Sequence, residues 1–337
     1  MRKKVIISIL GLLVLALAGV LFYYNSVSKH PFKGKNQVIE LTINKGDSLY
    51  SVLDELKDNN QLKNTAFIKA FIKINGEAGG IKPGNYSLSS ELTLKELLQN
   101  ISKGNDEGNL VRITIPEGYD IEKIAEVLQS QNLVSSEDFL KEVKAFELPS
   151  YITPSPEKRY ALEGFLFPDT YEFKKDSTAK EIIEKMLQRF QEVIEGIEKE
   201  LKIQIADSDM EKIIIIASMI EREARNSTEM PTIASVINNR INIGMKLQID
   251  ATVLYALGEH KEVVTYKDLE IDSPYNTYKI NTLPIGAIAS PGRDAILAAV
   301  KPSETNYIYY LFDPSSSKHF FTDNYNEFLQ KKKEFGY

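Results

Sequence analysis

A stretch of thirty-one residues occurs twice in this chain, and the repeat constrains the fold more than any other feature. "LTINKGDSLYSVLDELKDNNQLKNTAFIKAF", starting at Leu41, aligns without a gap on "ITIPEGYDIEKIAEVLQSQNLVSSEDFLKEV", starting at Ile113. Thr42 matches Thr114, Ile43 matches Ile115 and Gly46 matches Gly118; further on, Leu56 meets Leu128, Asn60 meets Asn132 and Phe67 meets Phe139. Each copy reads as a short strand, a glycine turn, an amphipathic helix and a second helix opened by a polar cap. Two copies are too few for a solenoid. They point to duplication of one α/β module, with "GIKPGNYSLS" adding a turn and a strand after the first copy.

Ahead of the repeat stands "VIISILGLLVLALAGVLFYY" (residues 5–24), a run without charge that is long enough to span a bilayer core. Arg2, Lys3 and Lys4 precede it, so residues 1–4 are expected in the cytoplasm and the rest of the chain outside. Tyr23 and Tyr24 suit the outer interface. An uncleaved anchor fits this run better than a cleaved signal peptide, whose apolar region is usually shorter. The polar residues 25–37 read as a linker.

After residue 155 the pattern changes. "LEGFLFPDTYEF" (Leu162 to Phe173) is aromatic-rich and strand-like, broken by Pro168. A long helix follows, its apolar positions Ile182 through Leu201 at helical spacing, with Thr178 and Glu181 as a capping box. Ser208 and Glu211 repeat the capping pattern for the next helix. Two more helices, Thr232 to Ile243 and Ala251 to Leu257, each stop at a glycine, and "NYIYYLFD" with "HFFT" reads as a hairpin before a basic C-terminal helix. The expected class is α+β.

The helix opened by Ser208 carries "IIIIASMIERE", an apolar run that ends in two glutamates. A buried carboxylate is costly unless it is paired or neutral. On a helical wheel Glu221 shares its side with Ile214, Ala217, Ser218, Ala224 and Arg225, whereas Glu223 sides with Ile216, Met219 and Ile220. Small side chains leave space for a groove, so Glu221 is the expected cleft carboxyl, with its pKa raised for proton donation. The plainer alternative is that both glutamates are solvated near a helix end, with Arg225 pairing Glu221 four residues on.

Five separated segments then carry a resemblance: "LEGFLFPDTYEF", "ASMIEREA", "VINNRINIGMKLQIDATVLYAL", "SPYNTYKINTLPIGAIASPGRDAILAA" and "YIYYLF". In this order they resemble the endolytic murein transglycosylase family, MltG or YceG-like, over essentially the whole chain. The resemblance implies a membrane anchor (5–24), a LysM-like module (38–107) and a catalytic domain (108–337), whose residues 108–150 repeat part of the module. It also implies cleavage of peptidoglycan glycan strands between N-acetylmuramic acid and N-acetylglucosamine, leaving 1,6-anhydro ends, with peptidoglycan synthases as partners. The family's catalytic glutamate falls on Glu221, acting as acid and then base. Gln248, Asp250, Tyr275, Asn276, Thr277 and Tyr278 are the implied groove residues. Asp250 has an alternative role as the cap of the helix at Ala251. Glu163 is a candidate second carboxylate or a structural acceptor. Ala224 departs from the family's hydroxyl residue at that position.

Other chemistries find no support in the residues. There is no cysteine, and the three histidines are scattered without a metal-ligand spacing, so neither metal nor cofactor is expected. A formal net charge of −6 argues against nucleic acid as the partner. Two rivals stay open: a non-catalytic glycan-binding scaffold, and a hydrolytic muramidase giving reducing ends.

Overall fold

The computed structural model describes residues 11, 15, 18–19, 22–34, 37–75, 80–104, 110–259, 261 and 264–337. They divide into two compact units, Met1–Leu110 and Val111–Tyr337. Most of the apolar run 5–24 lies outside the described residues. Among those described, no helix is long and apolar enough to cross a membrane.

In the first unit β1 (Val38–Ile43) buries every second side chain and pairs antiparallel with β2 (Gly84–Ser89), Val38 opposite Ser89 and Ile43 opposite Gly84. Helices α1 (Leu49–Asp58) and α2 (Thr65–Asn75) lie between the strands in sequence, and α3 (Leu94–Lys103) follows β2. Part of the stretch read as a linker is packed. Residues 22–29 are helical, and Val27 and Phe32 are buried in this unit's core, Phe32 bridging to Leu62. Two apolar side chains within a polar stretch are enough to fasten it, since each gains about 2 kcal/mol on full burial.

The second copy, from Val111 on, falls in the second unit: β3 (Leu110–Thr114), whose first residue ends the first unit, α4 (Ile121–Ser130) and α5 (Ser136–Ala145). Its closing strand is β4 (Thr170–Lys174), paired with β3, so both copies run strand, helix, helix, strand. The correspondence reaches single residues. Ser48 caps α1 by accepting the Ser51 N–H, and Asp120, at the matching position, caps α4 through Lys123. Leu49, Val52, Leu53 and Leu56 are buried on α1 where Ile121, Ile124, Ala125 and Leu128 are buried on α4. Asn60 and Asn132 both take left-handed backbone (φ 57° and 55°), which asparagine tolerates better than most side chains.

The remaining elements are α6 (Ala179–Leu201), α7 (Asp207–Glu223), α8 (Met230–Asn242), α9 (Asp250–Leu257), α10 (Arg293–Val300), the antiparallel pair β5 (Tyr309–Asp313) and β6 (Lys318–Thr322), and α11 (Tyr325–Glu334). The capping box at Thr178 and Glu181 forms as expected. The one at Ser208 does not, because the Glu211 carboxylate pairs with Lys158 and α7 starts without a side-chain cap. α7 is central: Ile214 through Ile220 are buried without a break, and the helix packs on α8, α9 and α10. The strand expected from Leu162 begins only at Thr170. Gly164 takes φ +87°, which ends any extended run there.

Candidate active site

The last turn of α7 sends its two glutamates to different places. Part of the small face, at Ser218 and Glu221, meets the segment 283–292, while Ala224 and Arg225 border a groove. Ser218 accepts the Ile288 N–H at 3.1 Å, and Glu221 Oε2 accepts the Gly292 N–H at 3.0 Å. Residues 118–119 brace the same segment: Gly118 N–H donates to the Ser290 carbonyl and Ser290 N–H to that of Tyr119. Small side chains at Ala217 and Ser218 let a backbone approach closely, and one does. Burial, opposed by the Gly292 bond and assisted by the nearby Glu117, raises the Glu221 pKa. Its carboxyl is thus half-buried and held against the segment 283–292.

Glu223 lines a groove. The groove holds about 670 Å³ and runs between the end of α7, the start of α9, and the β5–β6 hairpin with α11. Gln248, Asp250 and Tyr278 line it together with Glu223. Tyr310 on β5 donates its hydroxyl to Glu223 Oε2 at 2.9 Å. Burial raises the Glu223 pKa; the Tyr310 bond acts against this and the charge of Asp250 adds to it. Ile216, Met219 and Ile220, on the same side of α7, are buried in the core, and Glu223 follows them in the helix's final turn.

The other expected residues separate into two groups. Tyr278 points into the groove and gives its hydroxyl to Asp250. Asp250 is the first residue of α9, and no side chain caps that helix, so the capping alternative is not adopted. Gln248 holds a left-handed backbone (φ 54°), an uncommon state for this residue type that costs on the order of 1 kcal/mol. Tyr275, Asn276 and Thr277 are buried and do not line the groove. They hold it in shape. Thr277 Oγ1 accepts the Ile249 N–H at 2.9 Å, and its carbonyl accepts that of Gln248. Asn276 donates to the Leu269 and Ile271 carbonyls and accepts the Tyr278 N–H. The Tyr275 hydroxyl accepts the Arg159 N–H.

Glu163 is structural too. It is 2% exposed, accepts the Ile121 N–H at the start of α4, and takes the Tyr255 hydroxyl at 2.9 Å. Burial, with the charge of Asp120 second, pushes its pKa up to about 8 from the usual 4.5. Between those two values the folded chain keeps a proton that the unfolded chain has shed, so folding stability falls as pH rises through the window. Glu163→Gln, whose amide oxygen can accept both bonds, removes that titration. Its unfolding free energy should then fall less than the wild type's between about pH 5 and about pH 8, by an amount on the order of a few kcal/mol. Urea unfolding at the two pH values measures this, and parallel profiles for the two proteins would show that Glu163 does not titrate there.

Sequence reasoning missed the groove's far wall. Arg225, stacked over the Phe312 ring at 4.7 Å, His319 on β6 and Lys332 on α11 also line the groove. The alternation of Tyr310 and Phe312 along β5 was the available signal, since residues two apart on a strand share a face. Among the described residues no cluster of His, Cys, Asp or Glu is arranged to hold a metal ion.

With this geometry in hand, comparison with known proteins is direct. Residues 41–334 match the model of the YceG-like family. The endolytic murein transglycosylase of Bacillus subtilis is 33% identical over 95% of this chain and 91% of its own length. That of Streptococcus pneumoniae (strain D39) is 28% identical over 96% of this chain and 63% of its own. A crystal structure of a yceG-like protein from Listeria monocytogenes superposes with a TM-score of 0.59 at 31% identity, covering 88% of this chain and all of that one. The chain belongs to the YceG-like family.

Proposed function

We propose that this protein is an endolytic peptidoglycan lytic transglycosylase, held to the outer face of the cell membrane by residues 5–24, with Glu223 as its acid and base. The observation that carries the reading is the placement of one half-buried carboxyl, its pKa raised, in a groove shared with Gln248, Asp250 and Tyr278. The relatives named endolytic murein transglycosylase supply the reaction class.

The chemistry needs one carboxyl only. Protonated Glu223 gives its proton to the glycosidic oxygen as the bond to C1 of N-acetylmuramic acid breaks. The resulting carboxylate takes the proton of the same sugar's C6 hydroxyl while that oxygen closes on C1. Glu223 ends protonated, no water is consumed and the product carries a 1,6-anhydro end. Ordinary glycosidases use a second carboxylate, either as the nucleophile itself or as the base that activates water. A donor poised above the usual carboxylate range suits protonation of a leaving oxygen near neutral pH.

The strand–helix–helix–strand order of the first unit supports reading residues 38–107 as a LysM-like module, ahead of a catalytic domain spanning 108–337. Anchoring would confine cutting to strands close to the membrane, where peptidoglycan synthases extend them. Digestion of purified peptidoglycan by the full chain in detergent, with products read by mass spectrometry, tests the reaction. Anhydromuramoyl ends are expected. Reducing ends would make the enzyme a hydrolase, and intact strands that are nonetheless bound would make it a scaffold.

A further inference from the structure

The groove also carries rings that the proposed acid–base chemistry leaves unused. Tyr309 on β5 and Tyr325 and Phe328 on α11 line it together with Glu223. The three rings pack on one another, with centroids 5.5 Å apart for Tyr309 and Tyr325, 5.2 Å for Tyr309 and Phe328, and 6.2 Å for Tyr325 and Phe328. The Arg240 guanidinium, held by the Ile308 and Leu247 carbonyls, lies over the Tyr309 ring at 5.9 Å. Tyr309 and Tyr310 are consecutive on a strand and so point to opposite faces of it. Tyr310 holds Glu223, so the cluster around Tyr309 stands apart from the acid within one groove.

Helix α11 turns a definite stripe to this groove. Tyr325, Phe328 and Lys332 are spaced by three and four, which puts them on one face of the helix, and all three line the groove. The helix buries none of its residues, so these rings do not serve a core. Tyr325 is 53% exposed, although Tyr309 and Phe328 pack on its ring. A ring held in this way offers a large contact surface at low entropic cost. A pyranose has an apolar face of C–H groups, drawn to the negative face of an aromatic ring, and a rim of hydroxyls that need polar partners. The groove provides both: rings at Tyr325 and Phe328, and polar groups at Gln248, Arg225 and Lys332.

We infer that Tyr325, backed by Tyr309 and Phe328, is a stacking platform for a sugar ring of the glycan strand, apart from the bond that is cleaved. Affinity for the strand is thereby set partly on α11, away from Glu223. This rests on the groove being the place of cleavage proposed above.

The chain contains no tryptophan, so Tyr325→Trp creates a single emitter that keeps a stacking ring. Tyr266→Trp, at a position 91% exposed and outside the groove, serves as the reference. The full chain in detergent is mixed with glycan strands freed of their stem peptides by an amidase. The Tyr325→Trp emission should shift to the blue, and the reference should not move. Tyr325→Ala should raise KM for the same strands about tenfold with kcat changed less than about twofold, and Tyr325→Phe should recover most of the lost affinity. Because Tyr325→Trp retains a ring, the emission decides even where Tyr325→Ala does not fold. Cleavage by the wild type with no shift at position 325 and an unaltered KM in Tyr325→Ala overturns the inference and leaves the reaction standing. Equal shifts at both positions overturn it as unspecific adsorption. A shift with peptide-bearing strands but not with peptide-free ones overturns the assignment to a sugar and makes the stem peptide the occupant. A shift confined to position 325 without cleavage by the wild type keeps the platform and overturns the proposed reaction.

Discussion

Glu223→Gln should lower the rate of glycan cleavage by about 10²–10⁴-fold, the usual contribution of a positioned acid–base group, while Glu221→Gln should cost less than about tenfold. The contrast comes from what each carboxyl faces. Glutamine at 223 keeps the volume and still accepts the Tyr310 hydroxyl, so the groove keeps its shape and loses only its exchangeable proton. Glutamine at 221 can still accept the Gly292 N–H through its amide oxygen, so the segment 283–292 stays seated on α7. Burial already favours the uncharged form of Glu221, so a neutral replacement disturbs little. The two variants, assayed on the same peptidoglycan, decide between the glutamates. If the Glu221 variant were inactive and the Glu223 variant active, the acid would sit on the side of the loop and the groove described here would not be the site.

The pH dependence has a definite sign. The free enzyme must hold its proton on Glu223 before substrate is cleaved, so kcat/KM should be flat at low pH and decline as pH rises through the Glu223 pKa. Burial places that decline above the ordinary carboxylate range. The same limb should vanish, together with most of the rate, in Glu223→Gln.

Much of the scaffold was legible from local rules. The repeat showed itself in Gly46 and Gly118, Asn60 and Asn132, residues selected for backbone states that other side chains take with difficulty. The long α6 followed from spacing and from the Thr178 cap, both decided within a few residues of sequence. The surroundings of the two glutamates were not local. A wheel reports which side chains share a face with Glu221, but part of that face meets segment 283–292, some seventy residues further on. Asn276 and Thr277 look like sugar ligands because amides and hydroxyls serve either purpose, and only the partners Leu269, Ile271 and Ile249 reveal that they shape the wall. The packing of Val27 and Phe32 was illegible for a related reason: two residues are too few for a pattern, although each has a specific place in a core.

Gly164→Ala should destabilise the second unit by about 3 kcal/mol or more, enough to remove a large share of a typical domain's 5–15 kcal/mol. Two costs combine. The backbone at Gly164 sits at φ +87°, where a side chain is strained by on the order of 1 kcal/mol. A β-carbon there would also stand 2.6 Å from the Ala287 methyl and 2.7 Å from Ile214 Cγ2, closer than such atoms can come. Neither neighbour can swing aside, since Ala287 belongs to the segment packed on α7 and Ile214 is fully buried within α7. Relief would require lifting the segment from the helix, straining the bonds from Ile288 to Ser218 and from Gly292 to Glu221, so activity should fall along with stability. Gly196→Ala provides the opposite case. Gly196 lies inside α6 with nothing within 4 Å of the added carbon, so the same substitution should stabilise by about 0.5–1 kcal/mol through helix propensity. Denaturant unfolding of both variants beside the wild type measures the pair. Equal midpoints for Gly164→Ala and the wild type would mean that the contact between residue 164, α7 and the segment above it is not as tight as described, and the account of why that segment covers Glu221 would fall with it.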